Sequence, residues 1–299
     1  MRILPAFDAD TIRQTILDDI PNLKIETLKL IDNGWNNVVA EINSEWIFRF
    51  PKDDEVAFDI EVRILDFLKD KITLRIPKIE YFGKTFTYMG YRKVQGGGLT
   101  KEILDSLSYA QKEKLIFDLA NFLREIHSAL TPDDARKMGV TDEDLVSYAN
   151  LIKSVLPNRI NDLAVLEYVE PTLKEYEEMI PEKTEDVFLY NDLHVDNLAF
   201  DPERKRLNGI FDFGDIFVGD VSRDFYALYR FDPYFMKAVA ERYQSLTDRK
   251  LNLRRMVIYC RMNELCDLAE YIDKPESAIY QNVLIRIGKW KAEMDIFQT

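Results

Sequence analysis

The chain has 299 residues, of which 46% are hydrophobic and 31% charged, and its net charge is −13. That balance is ordinary for a globular protein, and a chain this long buries about three quarters of its unfolded surface without disulfide or metal staples. The acidic excess argues against nucleic acid as the main partner, and no apolar run approaches the ~20 residues that span a bilayer.

The charge is unevenly placed. Residues 1–94 carry 14 Lys and Arg against 16 Asp and Glu, so most of the negative excess lies beyond them. An acidic surface attracts a polycationic small molecule; it equally serves to keep a protein soluble. Cys260 and Cys266 share one predicted helix without forming a C-x-x-C, which reads as free buried thiols in a reducing compartment. The start, MRILPAFDAD, lacks the apolar stretch of a signal peptide, so the expected location is cytoplasmic.

From the start of the chain, residues 8–20 put Ile12, Ile16, Leu17 and Ile20 at helical spacing, with Asp10 as the expected N-cap. Strands follow over 25–31 and 38–42, joined by the turn DNGWNN at 32–37. The stretch EWIFRF at 45–50 alternates: Trp46, Phe48 and Phe50 share one face, Ile47 and Arg49 the other, and Pro51 ends the strand. Residues 53–68 form a helix with Ala57, Ile60, Ile64 and Phe67/Leu68 on its inner stripe, and Glu61 lies on it. Strands at 79–82 and 85–94 complete a five-stranded antiparallel sheet, and Gly96, Gly97 and Gly98 supply a flexible run suited to a hinge. The remainder is mainly helical, over 111–127, 142–156, 163–179, 225–229, 234–245, 251–271 and 276–297. His127 reads as a structural residue at a helix end rather than a ligand.

Within that helical part, YNDLHVDNLAFDPERKRLNGIFDFGD (190–215) reads as a β-hairpin with chemistry at one end. Residues 197–200 and 207–211 are short apolar runs around a charged, Pro-containing turn. If Phe200 faces Leu207, antiparallel pairing brings Asn197 near Ile210 and hence near Asp212. A carboxylate and an amide oxygen then converge, and hard oxygen ligands of that kind suit Mg²⁺ that takes its other ligands from water and phosphates. Asp192, just before the hairpin, can reach a hydroxyl lined up with the same phosphate. Asp192-Leu193-His194 also mimics a metallophosphoesterase motif, but such dinuclear sites draw on several histidines and this chain has two.

Asp192-x-x-x-x-Asn197, followed by Asp212-Phe213-Gly214 in an apolar setting, resembles the catalytic and metal loops of the protein-kinase fold. The fuller pattern adds Asn191 before Asp192, then Phe211 through Asp215, then Gly219-Asp220-x-x-x-Asp224-Phe225. It is similar to the aminoglycoside phosphotransferases, most of all their 2″-phosphotransferase branch, along nearly the whole chain.

The resemblance implies an α+β, two-lobed protein-kinase-like fold. Residues 1–94 would form a nucleotide-binding lobe with the five-stranded sheet, 95–98 the hinge, and 99–299 a mainly helical lobe with the catalytic hairpin and acceptor site. It implies a Mg²⁺-dependent kinase that transfers the γ-phosphate of ATP or GTP to a hydroxyl of an aminoglycoside-like, cationic acceptor, working as a monomer. Asp192 would be the catalytic residue, and Asn197 and Asp212 the metal ligands. Arg49, placed by Glu61, would hold the phosphates, and Arg92 C=O and Val94 N–H the purine. Asn36 and its neighbours Asn33 and Asn37 would cover the phosphates, and bulky Tyr91 would bias the choice of base. The chain departs from the pattern in having Arg49 where kinases use lysine, and Gly34 alone in the phosphate turn. Arg230 and Arg261, near the presumed acceptor, would repel a polycation. Another hydroxyl metabolite, a macrolide, or a weakly active nucleotide-binding module are the alternative readings.

Overall fold

The structure, a computed structural model, describes residues 8–31, 37–52, 55–84, 86–160, 162–182 and 184–293. Asn33, Gly34 and Asn36, named above for the phosphate turn, lie outside the described residues. Strands β1 (Leu28–Ile31), β2 (Asn37–Ile42), β3 (Trp46–Pro51), β4 (Ile79–Phe82) and β5 (Met89–Arg92) form one antiparallel sheet in the order β1-β2-β3-β5-β4. The alternation in β3 decides what its two faces do. Trp46, Phe48 and Phe50 join Ile12 and Ile16 of helix α1 (Ala9–Asp19) in one small core, while Arg49 points the other way, toward helix α2 (Glu55–Leu68). Asp8, not Asp10, caps α1, accepting from the Thr11 N–H at 2.8 Å. Pro51 is the last residue of β3 rather than the residue after it.

The larger core belongs to the helices. Ser108 and Gln111 close a capping box on α4 (Tyr109–Ala129), which follows the short α3 (Lys101–Ser106). Leu119, Phe122, Leu123 and Ile126 of α4 are fully buried, and the helix lies against strand β6 (Asp186–Leu189) and helix α9 (Pro233–Leu246). Around it stand α5 (Pro132–Lys137), α6 (Leu145–Arg159), α7 (Leu163–Met179), α8 (Tyr226–Phe231), α10 (Leu253–Glu270) and α11 (Ala278–Glu293). Two six-residue helices, α3 and α5, are absent from the sequence expectation. So is the pairing of β6 with a strand at Phe217–Asp220, which closes across some thirty residues. No helix among the described residues is long and apolar enough to cross a membrane.

The hairpin forms over the expected runs and Phe200 faces Leu207, but a bulge between Ala199 and Phe200 slips the pairing by one residue, so that Leu198 rather than Asn197 faces Ile210. Strands β7 (Leu198–Asp201) and β8 (Arg206–Ile210) pair with Phe200 opposite Leu207 and Leu198 opposite Ile210. The Phe211 N–H then donates to Asn197 C=O at 3.1 Å, which carries Asp212 to the side of Asn197. The strand at Phe217–Asp220 is β9. The glycine run is not a free linker: Gly97 and Phe200 exchange two backbone hydrogen bonds, of 2.9 and 2.8 Å. Gly96, at φ +149°, lies so close to β7 that a Cβ would meet the Ala199 carbonyl carbon at 2.4 Å.

The sheet meets the hairpin at Gly209. Ile210 donates to Arg75 C=O at 2.9 Å, and a Cβ on Gly209 would stand 2.2 Å from that oxygen and 2.7 Å from Val94 Cγ1. Gly209→Ala must therefore displace backbone, and overpacking of this kind costs about 1–3 kcal/mol. Its urea midpoint should fall below that of the parent protein; an unchanged midpoint would show that the Arg75 segment yields freely.

Candidate active site

The loop that bears Asp192 hangs from a buried carboxylate. Asp224, 1% exposed, accepts from the backbone N–H groups of Tyr190 (3.0 Å) and Asn191, and from His127 Nε2 (2.8 Å). His127 Nδ1 meets the Tyr243 hydroxyl at 2.8 Å, so both ring nitrogens are committed and the ring holds structure, as its helix-end position suggested. Asn191 takes a left-handed conformation, φ +63°, which asparagine tolerates, and Arg223 Nε donates to its Oδ1 at 3.1 Å. Arg223 is itself buried against Glu143, 2.7 Å away. Tyr190, fully buried against Phe213 and Phe122, donates its hydroxyl to Phe211 C=O at 2.5 Å. That bond ties the Asp192 loop to the segment carrying Asp212.

Asp192 and Asn197 are in direct contact. Asn197 Nδ2 donates to Asp192 Oδ2 at 2.6 Å and to Asp192 C=O at 3.0 Å. With its nitrogen used there, the Asn197 amide oxygen is the atom left for a cation. Burial, followed by the charges of Asp215 and Asp212, raises the Asp192 carboxyl to about 7. Asp215 belongs to the same cluster, and the sequence analysis gave it no role although it closes the Phe-Asp-Phe-Gly-Asp motif. The enclosed setting, then Asp212, raises it as well.

Across the cleft, Arg49 joins three elements. Its guanidinium pairs with Glu61 on α2 and, through Nη2, with Asp212 Oδ1 at 3.0 Å. Arg49 and Glu61 are 7% and 3% exposed at the side chain, whereas Asp212 is 47% exposed. Burial acts to lower the Arg49 pKa, but Glu61 and Asp212 outweigh it and raise it, so the guanidinium stays charged. Burial raises the Glu61 carboxyl to about 7, opposed by Arg49. Asp212 takes a left-handed conformation, φ +67°. Among the described residues no three His, Cys, Asp or Glu side chains gather as a metal site. The donor set is thus one carboxylate and one amide oxygen, which suits a hard cation that completes its shell with phosphate and water.

A cavity of about 340 Å³ opens between these groups and the sheet. Arg49, Asp212, Tyr91 and Val94 line it, with apolar Ile31, Val39, Ile47 and Phe211, as a flat heterocycle requires. Lys93 and Glu41, paired at 2.9 Å, also line it. Arg92 does not. Its guanidinium stacks 3.8 Å from the Trp46 ring and pairs with Glu45, leaving only its backbone for the contact that the resemblance implied. A second cavity, about 510 Å³, lies on the other side of the Asp192 loop, between His194, α8, α10 and α11. Arg230 lines it; Arg261 does not, being directed at Glu175 of α7, 3.4 Å away.

The model of the phosphotransferase enzyme family (APH) matches residues 27–255. Among solved structures, the chain is similar to the GDP complex of wild-type aminoglycoside 2'-phosphotransferase-IIIa. Identity is 22% over 95% of this chain and 98% of that one, with a TM-score of 0.82. The streptomycin-ATP ternary complex of APH(2")-IIa matches at 22% identity over 98% and 100% of the two chains, TM-score 0.68. Macrolide 2'-phosphotransferase MphH from Brachybacterium faecium matches at 16% identity over 92% and 97%, TM-score 0.61. At these identities the likeness is one of fold, and the fold is the kinase-like α+β architecture expected from the motif.

The Arg49 geometry sets a test that is independent of any ligand. Arg49→Ala leaves Glu61 buried without its cation, a change that costs about 3–5 kcal/mol in comparable pairs. Adding Glu61→Gln to Arg49→Ala should recover most of that loss, because the orphaned charge disappears. Denaturant unfolding of the four proteins reads the coupling directly; simple additivity would mean the two side chains act separately.

Proposed function

The chain belongs to the phosphotransferase enzyme family, and from that premise we propose that it is a small-molecule kinase, transferring the γ-phosphate of ATP or GTP to a hydroxyl of a sugar-like acceptor. One observation carries the reading: the hairpin register brings Asp192, Asn197 and Asp212 to one end of a cleft whose opposite wall holds a buried, charged Arg49. Solved structures of similar fold in complex with GDP, and with ATP and streptomycin, support a nucleotide donor and a sugar-like acceptor.

In this mechanism the nucleotide occupies the 340 Å³ cavity, with Val94 at the base and Arg49 on the phosphates. Glu61 positions Arg49. Asn197 and Asp212 would hold Mg²⁺, which when bound neutralises charge on the β- and γ-phosphates. Engaging phosphates there requires Arg49 to share or release Asp212. The acceptor hydroxyl lies against Asp192. Its oxygen bonds to the γ-phosphorus as the bond from phosphorus to the bridging oxygen breaks; the proton passes to Asp192 and the nucleoside diphosphate leaves. A carboxyl raised to about 7 accepts that proton more readily than an ordinary aspartate. Most of the rate comes from alignment and charge neutralisation, because phosphoryl transfer needs little covalent help.

Two substitutions separate the roles. Asp192→Asn keeps the shape but loses the proton acceptor, so transfer should fall by about 100-fold or more while nucleotide affinity stays near that of the parent. Turnover at the parental rate would remove Asp192 from the chemistry. Asp212→Ala should weaken nucleotide binding in the presence of Mg²⁺ much more than in its absence. A nucleotide titration in both conditions checks this, and equal losses would place the metal elsewhere.

A further inference from the structure

The second cavity bears on what the acceptor is, an inference that rests on the kinase reading above. It begins beside Asp192, where His194 Nε2 lies 3.5 Å from Asp192 Oδ1, and runs between α8, α10 and α11. Two of its lining residues are arginines, Arg230 of α8 and Arg286 of α11, with side chains 18% and 25% exposed. Both are held from behind. Glu264 is fully buried and does not line the cavity; its Oε2 accepts from Arg286 Nε and Nη2 at 2.8 and 2.6 Å, and its Oε1 lies 2.7 Å from Arg230 Nε. Arg230 Nη2 also reaches Asp267 at 2.7 Å.

This is a pair of guanidinium groups braced by one buried carboxylate, with donors to spare. A guanidinium has five N–H groups, and Arg286 spends its Nε and one Nη nitrogen on a single oxygen. Three carboxylates stand around the pair: Glu264 behind both arginines, Asp267 on Arg230, and the exposed Asp196 on the lining, so the donors left for a ligand are those of Arg286 that Glu264 does not use. His194 adds no charge at neutral pH, since burial and the nearby arginines lower it to about 4. Asp192, at the near end, takes the acceptor's proton in the kinase reading and is not a spare partner for an ammonium group. A carboxylate or phosphate placed here would meet the fork geometry that binds it best, whereas the carboxylates a polycation would need are already engaged by the two guanidinium groups, apart from Asp196.

We propose that the acceptor is a hydroxyl compound carrying a carboxylate or phosphate, with that group against Arg230 and Arg286 and its hydroxyl at Asp192. This departs from the cationic acceptor expected from the family resemblance.

The test is equilibrium binding by calorimetry, with the nucleotide site filled by Mg²⁺ and a non-hydrolysable ATP or GTP analogue. Glucuronate and glucose 6-phosphate serve as the two anionic probes, glucose as the neutral one and kanamycin as the polycation. At least one anionic sugar should bind about tenfold or more tightly than glucose, and which of the two does so identifies the anion. Arg286→Gln should abolish that preference and strengthen kanamycin binding, while Arg286→Lys, which keeps the charge, retains part of it; melting curves verify that each variant folds. Equal binding of anionic and neutral sugars, kanamycin binding the parent protein most tightly, or an anion preference untouched in Arg286→Gln would each overturn the proposal. The analogue titration made before any acceptor is added reports on the kinase reading by itself: no Mg²⁺-dependent binding there sinks that reading and not the charge preference.

Discussion

The guanidinium of Arg49 is the point through which the cleft is assembled. Strand β3 supplies it, α2 supplies Glu61, and the segment after the hairpin supplies Asp212 from 163 residues further along. A buried ion pair of this kind brings little net stability, because taking both charges out of water offsets most of their attraction. What it contributes is geometry. With Glu61 almost fully enclosed, Arg49 has one place to point, and that place is the open carboxylate of Asp212. Arg49 and Asp212 thus face the same space, held by a pair that is buried on the Arg49 side and open on the Asp212 side.

The other half of the site is held by hydrogen bonds to main chain. Asp224 accepts two backbone N–H groups at the head of the Asp192 loop and is oriented by His127, which is oriented in turn by Tyr243. Every member is buried, so each bond is made in a low-dielectric setting where leaving it unmade is expensive. Tyr190 extends the same network to Phe211 and thereby fixes the distance between the Asp192 loop and Asp212. Asp192 and Asp212 stay partly exposed while their supports are dry. Rigid supports and accessible ends are what positioning chemistry needs.

Charge then divides the cleft. Asp192, Asp212 and Asp215 crowd the end where phosphates would lie, and the first of these has its carboxyl raised because the others are near and water is far. The opposite end carries Arg230 and Arg286. The net charge of −13 describes neither end, since it is spread over a surface of which the cleft is a small part. Long-range attraction of cations by the whole protein and recognition at the site are separate effects.

The sequence alone was sufficient wherever local pattern decides structure. Alternation in EWIFRF put Arg49 on the cleft face, and the apolar runs about 201–206 located the hairpin and its Phe200–Leu207 pair, while the bulge that sets Leu198 rather than Asn197 opposite Ile210 had no local signal. Helix spacing located α1, α2, α4, α7 and α10. The motif carried the kinase-like fold and its family, because three groups with one order and spacing leave few architectures. Short elements escaped for want of periodicity: α3 and α5 have six residues each, and β6 and β9 are four-residue strands whose partners lie far along the chain. The N-cap was misplaced by two residues because Asp8 and Asp10 are equivalent until the helix axis is known. Contacts between distant side chains were mostly beyond reach; the Arg49–Glu61 pair came from the family resemblance and not from local pattern. Nothing local shows that Arg49 also reaches Asp212, that Asp224 holds the Asp192 loop, or that Arg261 turns to Glu175 while Arg230 and Arg286 share Glu264. Those pairings depend on how helices from separate parts of the chain pack, and packing is a property of the whole core rather than of any stretch of sequence.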